Sequence, residues 1–110
     1  MTEISVQELR TRLESGEKLH LIDVREEWEY QEFNIGAENI PLPVLMNKLQ
    51  ELMDWKDEEV ILHCKSGSRS FQAAQILKQF GFSNVKNVTG GLHAWQSHFG
   101  QTYQPVVSGK

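Results

Sequence analysis

A chain of 110 residues, 39% hydrophobic and 24% charged, carries enough apolar side chains for one core and too many for a disordered segment. Its formal net charge of −4 excludes the basic surface that general nucleic-acid binding requires. A single cysteine permits no internal disulfide, and no apolar run has the length of a membrane span or the form of a secretory leader. The expectation is a cytoplasmic protein that engages neither nucleic acid nor membrane.

In chain order, Ser5 with Glu8 three residues on predicts a capping box opening a helix. Val6, Leu9 and Leu13 line one face of that helix, and Gly16 ends it. Leu19 to Val24 reads as a buried strand that stops at Arg25-Glu26-Glu27, followed by a short helical or irregular segment carrying Trp28, Tyr30 and Phe33. Ala37 to Ile40 is a short strand closed by Pro41, and Pro43 suits the first turn of a helix with Leu45, Leu49, Leu52 and Met53 on its apolar face. Val60 to His63 is the next strand. A helix beginning near Ser70 buries Phe71, Ala74, Ile76, Leu77 and Phe80, with Gly81 as its cap. Val85 to Val88 is a further short strand, and Gly90-Gly91 turns the chain into a last helix with Leu92 and Trp95. Residues 1–100 read as one domain, and 101–110, which show no periodicity, as a loose tail.

Strands alternating with helices imply an α/β fold with a parallel sheet covered on both faces, whose working crevice lies at the carboxyl ends of its strands. Cys64 and the segment Asp23-Val24-Arg25 each follow such an end, so the two are expected to meet. Behind Cys64 runs Lys65-Ser66-Gly67-Ser68-Arg69, a short cationic loop that leads into a helix. Helix N-terminal N–H groups and a nest of loop N–H groups both favour an anion. Such settings lower a cysteine pKa from about 8.5 to roughly 3.5–7.5. The competing reading is a buried structural cysteine. As the chain has no second thiol, covalent sulfur chemistry at Cys64 has to pass to or from another molecule.

The neighbouring residues carry more than one reading. Arg69 ties the loop to the helix behind it, binds substrate, or does both, and Lys65 is either a solvated loop lysine or an attractor of anions. Gly67 tolerates a positive φ in a tight loop. Ser66 and Ser68 donate hydroxyl hydrogen bonds or are simply small. Asp23 and Arg25 read as an ion pair bracing the loop, with a catalytic couple as the less favoured alternative. His63 precedes the cysteine on a strand, so it points to the opposite face and is no base for Cys64. His20, His93 and His98 are unclustered and, with one cysteine, offer no zinc site. Trp28, Trp55 and Trp95 are packing residues, with Trp28 a candidate for the pocket flank, and Gly90-Gly91 a backbone turn at the pocket mouth.

Four segments in register resemble the single-domain rhodanese-like sulfurtransferases, over roughly residues 3–98. They are Leu21-Ile22-Asp23-Val24-Arg25-Glu26 with Glu29-Tyr30; Gly36-Ala37 before Asn39-Ile40-Pro41-Leu42; the Cys64 to Ser70 loop; and Gly90-Gly91 with Trp95. The chain departs from that family at Glu32-Phe33-Asn34-Ile35, where Gly-His-Ile-Pro is common. The expected effect of the departure is on packing or partner choice rather than on the thiol chemistry.

The resemblance implies a three-layer domain with a central, mainly parallel five-stranded sheet and helices on both faces. It implies that Cys64 takes the outer sulfur of a donor such as thiosulfate and passes it to an acceptor. That acceptor is cyanide in assay, and a thiol or sulfur-carrier protein in the cell. No metal or organic cofactor is expected. Lys65 and Arg69 would attract the thiosulfate dianion and steady the departing sulfite. Four residues separate Cys64 from Arg69, one fewer than in the cysteine phosphatases that share this fold, so the ring suits one sulfur atom better than a tetrahedral phosphate. A non-enzymatic binding module, and less favoured a phosphatase or arsenate reductase, stand as alternatives.

Overall fold

The computed structural model describes residues 2–105 and contains five strands: β1 (Thr2–Ile4), β2 (His20–Asp23), β3 (Glu38–Asn39), β4 (Glu59–His63) and β5 (Asn84–Val88). They are hydrogen-bonded in the order β1-β5-β4-β2-β3, and every pairing is parallel. The helices are α1 (Val6–Glu14), α2 (Glu27–Glu32), α3 (Leu42–Asn47), α4 (Leu49–Leu52), α5 (Ser68–Gln79) and α6 (Gly91–Phe99). Among the described residues no helix is long and apolar enough to cross a membrane.

Side-chain alternation along the central strands sorts the core into two halves. On β4, Val60, Leu62 and then Cys64 join one cluster with Ile22, Val24 and Val85, roofed by Leu45 of α3, Leu52 of α4, and Ala73, Ala74 and Leu77 of α5. Ile61 points the other way, with Leu21, Ile4 and Val88, onto Val6 and Leu9 of α1 and Leu92 and Trp95 of α6. Each such fully buried aliphatic side chain stabilises the fold by about 1.5–3 kcal/mol. The register places Asp23 beside His63 at the adjoining ends of β2 and β4. Parallel pairing therefore delivers the two candidate segments to one edge of the sheet.

Several expectations are corrected. The fifth strand is β1, a three-residue edge strand in which only Ile4 is buried. Ser5 does cap α1 by accepting from the Glu8 N–H (3.1 Å), but Glu8 makes no return bond, so there is no reciprocal box. The expected helix after Pro43 breaks at Lys48 into α3 and α4, then ends in a 3-10 turn over Met53–Trp55.

Helix α5 starts at Ser68 and buries Ser70, Ala73, Ala74 and Leu77, while Phe71 and Phe80 are 41% and 49% exposed. Positions 70, 73, 74 and 77 form the i, i+3, i+4, i+7 stripe that faces the sheet, and Phe71 falls off it. Phe80 falls at the helix end, and Phe82 fills the core there instead. The segment read as a tail begins by packing: Tyr103 lies against Trp95 and Phe99, and its backbone oxygen accepts from the Trp95 indole N–H (2.9 Å). Residues 106–110 of that segment lie outside the described residues.

Candidate active site

The chain leaves β4 at His63, and the loop folds back so that its N–H groups face the sulfur. Gly67 N–H donates to Cys64 Sγ at 3.0 Å, and the Ser70 N–H and Ser70 Oγ each lie 3.4 Å from it. Gly67 makes this possible with φ +107°, in the left-handed region, where it caps the start of α5. Cys64 is as buried as a structural cysteine, with no exposed surface. Burial pushes its thiol up, but the Ser70 hydroxyl and the backbone N–H groups of Ser70, Gly67 and Ser66 outweigh it. The balance leaves the pKa below that of an ordinary cysteine. A buried thiol ringed by donors is a place to hold a sulfur anion.

A second segment clamps the loop from behind. Gly90 and Gly91 have φ +75° and +54°, and a Cβ at Gly91 would lie 2.4 Å from the Cys64 carbonyl oxygen. That close approach lets the first amides of α6 hold the loop: Leu92 N–H donates to Cys64 O (2.9 Å) and His93 N–H to Lys65 O (2.8 Å). The glycine pair is thus a backbone turn against the thiol loop, as its sequence position suggested.

Asp23 and Arg25 form the expected ion pair. Arg25 Nη2 lies 2.8 Å from Asp23 Oδ2, its Nε reaches both carboxylate oxygens, and both residues are buried. The same guanidinium donates to the Phe33 and Glu29 carbonyls and so fixes the end of α2. The atypical segment closes locally, since Asn34 Oδ1 accepts from the Gly36 N–H (2.9 Å), its amide donates to Tyr30 O (3.0 Å), and Ile35 is buried. Asn34 thereby supplies a turn in which no proline is needed.

Of the two roles open to Arg69, the anchor is the one built in. Its Nη1 and Nη2 meet Glu29 Oε1 and Oε2 at 2.7 and 3.0 Å. The anchor reaches α2, rather than the helix behind the loop. Arg69 holds the Glu29 carboxyl at about 2, against the effect of burial, and Glu29 raises Arg69 in return. Lys65, exposed at the mouth, shares a cleft of about 160 Å³ with Arg25, Trp28, Glu29, Glu32, Phe33, Leu92 and Gln96. Trp28 is 63% exposed there, on the pocket flank. Ser66 and Ser68 put no hydroxyl on the sulfur.

His63 is buried on the far face, its Nε2 without a hydrogen bond and 3.7 Å from Asp23 Oδ2. Burial lowers its pKa, against the pull of Asp23, so it rests neutral and remote from Sγ. Among the described residues no cluster of histidine, cysteine and carboxylate groups could hold a metal ion.

Three contributors were not singled out from the sequence. In the sequence Glu29 stands out only as part of a motif, and Ser70 only as a loop end and helix start. Asn87, on β5, is buried and lies 2.5 Å from Ser70 Oγ through its Oδ1. Strand parity was the available signal, because Asn87 follows Val85 by two residues and therefore falls on the apolar, α5-covered face.

Comparison with known proteins speaks to the family and the fold. The family profile described as a rhodanese-like domain matches residues 5–98. A sulfurtransferase of Allochromatium vinosum is 34% identical over 99 residues, covering 89% of this chain and 91% of that protein. A provisionally named sulfur carrier protein of Bacillus subtilis is 37% identical over 94 residues, 84% of this chain, and the chain spans half of its length. Among solved structures, a rhodanese-like domain protein from Staphylococcus aureus superposes with a TM-score of 0.78 at 30% identity, covering 86% of this chain and 91% of that one.

Proposed function

The chain belongs to the rhodanese-like domain family, and on that premise we propose that it is a sulfurtransferase in which Cys64 carries one sulfur atom as a persulfide. The observation that carries this reading is the ring of N–H donors from Gly67 and Ser70 around a sulfur that no general base touches. A nucleophile held as an anion by fixed dipoles needs no base to be activated, and the same dipoles suit the persulfide anion that replaces it.

With thiosulfate as donor, the Cys64 thiolate attacks the outer, sulfane sulfur. The Sγ–S bond forms as the bond between the two thiosulfate sulfurs breaks, and sulfite departs with that electron pair. An acceptor then attacks the outer sulfur of the persulfide. Cyanide yields thiocyanate, a thiol or sulfur-carrier protein yields its own persulfide, and in each case Cys64 returns as a thiolate. With cyanide, or with a thiol acceptor that attacks as its thiolate, no proton has to be moved by a side chain in either half.

Arg25 lines the cleft and Arg69 pairs with Glu29 at its wall, so each already faces a carboxylate, and among the described residues Lys65 supplies the unmatched positive charge at the cleft for an anionic donor. Cys64 has no exposed surface at rest, so a donor reaches the sulfur only once the groups covering it give way.

The test is thiocyanate formation from thiosulfate and cyanide by the intact chain and by Cys64→Ser. Transfer is expected to fall to the uncatalysed rate in the variant, with its far-UV circular dichroism unchanged. Turnover that survives the substitution would overturn the reading, and so would hydrolysis of an aryl phosphate at a rate matching sulfur transfer.

A further inference from the structure

The Ser70 hydroxyl has one proton and three acceptors. Its Oγ lies 2.5 Å from Asn87 Oδ1, 3.2 Å from the Gly67 carbonyl oxygen and 3.4 Å from Cys64 Sγ. A hydroxyl donates once and accepts through its lone pairs, so these three contacts cannot all be donated bonds at one time. The shortest of them goes to Asn87.

Asn87 is itself out of place for its strand. Val85 and Asn87 share the face of β5 that α5 covers, where Val60, Leu62 and Ala74 are apolar and fully buried. Burying an amide on such a face costs free energy unless it is hydrogen-bonded. Its bonds are to Ser70 Oγ and, through Nδ2, to the Gly67 carbonyl at 3.4 Å. Both partners belong to the sulfur cradle, so the amide is held by the residues that hold the sulfur.

We propose that Asn87 is a positioning residue that competes with the Cys64 sulfur for the single hydroxyl proton of Ser70. While the sulfur is a neutral thiol, Ser70 donates to Asn87 Oδ1 and turns its lone pairs toward Sγ, so that the S–H donates to Ser70. Once the sulfur carries charge, as thiolate or persulfide, the hydroxyl turns and donates to it, and Asn87 gives up the proton. The cradle thus has a resting and a charged arrangement that differ by one hydroxyl rotation. The net thiol strength is then set by what Asn87 withholds as well as by what the loop offers. The inference rests on the reading that Cys64 is the reacting nucleophile.

The charged and titratable groups on the elements that flank this point are Lys65 and Arg69 of the loop and α5, Glu29 of α2, Asp23 and Arg25 from the end of β2, Glu3 of β1 in register with Asn87, and His63 on the opposite face of β4. All stay unchanged in the variants below. With one cysteine in the chain, the ultraviolet absorbance of the thiolate, taken as the difference from Cys64→Ser, reads Cys64 alone. It reads a buried thiol as well as an exposed one.

Asn87→Ala frees the Ser70 proton, and the thiolate midpoint is expected to fall by about half a pH unit. Asn87→Asp keeps the shape but offers only acceptors and a negative charge, so the midpoint is expected to rise by about one unit or more. In a Ser70→Ala background the Asn87→Ala shift is expected to vanish, because its path is gone.

A residue that merely supports the loop would raise the midpoint in both variants. That result, or an Asn87→Ala shift that persists without the Ser70 hydroxyl, would overturn the proposal. If Asn87→Ala does not fold, the isosteric Asn87→Asp decides alone: its upward shift should shrink in the Ser70→Ala background, and an undiminished or absent shift overturns the proposal. The absorbance requires no sulfur donor. Failure of sulfur loading on Cys64 and failure of this competition are therefore separate results.

Discussion

Strands β2 and β4 end side by side at one edge of the sheet, and their ends hold charge in opposite ways. The end of β2 uses full charges in matched pairs: Asp23 with Arg25, both buried, and a few residues on, Glu29 with Arg69. The end of β4 uses none on its sulfur, which faces the N–H groups of Gly67 and Ser70 and one hydroxyl. Paired charges fix geometry, because separating either partner leaves a desolvated ion behind. Neutral dipoles stabilise an anion without providing a counter-ion that must be torn away when the anion reacts. On the proposed reading the first region is scaffold and the second is reactive, although both are built from residues that look equally polar in sequence.

The largest way to break that contrast is Arg25→Met, which strands the Asp23 carboxylate with no exposed surface. A loss of about 3–5 kcal/mol is expected in denaturant unfolding, with sulfur transfer falling only as far as the folded fraction falls. A sharp loss of transfer in protein that remains folded would move Arg25 from scaffold to chemistry.

Next comes Gly91→Ala, whose Cβ would meet the Cys64 carbonyl oxygen at 2.4 Å in a backbone region disfavoured for alanine. At least about 2 kcal/mol of destabilisation is expected. Here transfer should fall even in the folded protein, since the clash pushes on the cradle itself.

Acid should reveal the matched charges, both in this region and in the Glu59 and Arg12 pair that joins the start of β4 to α1. The folded Glu29 and Glu59 carboxyls lie at about 2, held down by Arg69 and Arg12 respectively. They stabilise the fold above the unfolded value of about 4.3, and that contribution is lost as pH falls toward 2. His63, whose folded pKa is lowered by burial, adds an earlier window: its contribution is complete above about 6.5 and declines below it. Thermal melts from pH 7 downward should therefore lose stability in two stages. With Glu29→Gln the lower stage should be reduced and the upper one kept.

The smallest effect expected is that of Lys65→Ala, the exposed unmatched cation at the cleft. It should weaken thiosulfate use by up to about fivefold at low salt and by less at high salt. An equal loss at both would make Lys65 a packing residue.

Much of this contrast could be read from the chain. The apolar runs at 19–24 and 60–63, each ending in polar residues, place both segments at strand ends, and the strand parity that set His63 aside is the parity observed. Pairing between elements was less legible. Arg69 and Glu29 are 40 residues apart and meet only because β2 lies beside β4, a fact of sheet order rather than of local pattern. Strand β1 was missed because three residues with one buried side chain carry no period. Phe71 and Phe80 were assigned to the core by their hydrophobicity, whereas the stripe that faces the sheet carries Ser70, Ala73, Ala74 and Leu77. Strand parity puts Asn87 on an apolar face, where burial requires a hydrogen-bond partner, but that the partner is Ser70 of α5 is a fact of the tertiary structure.

The most direct measurement is the intact mass of the protein after incubation with thiosulfate, and again after cyanide is added. A sulfur carrier at Cys64 gains one sulfur atom in the first step and loses it in the second, and Cys64→Ser shows neither change. Thiocyanate production with no sulfur-loaded species, or sulfur gained equally by Cys64→Ser, would contradict a persulfide held in the cradle of Gly67 and Ser70.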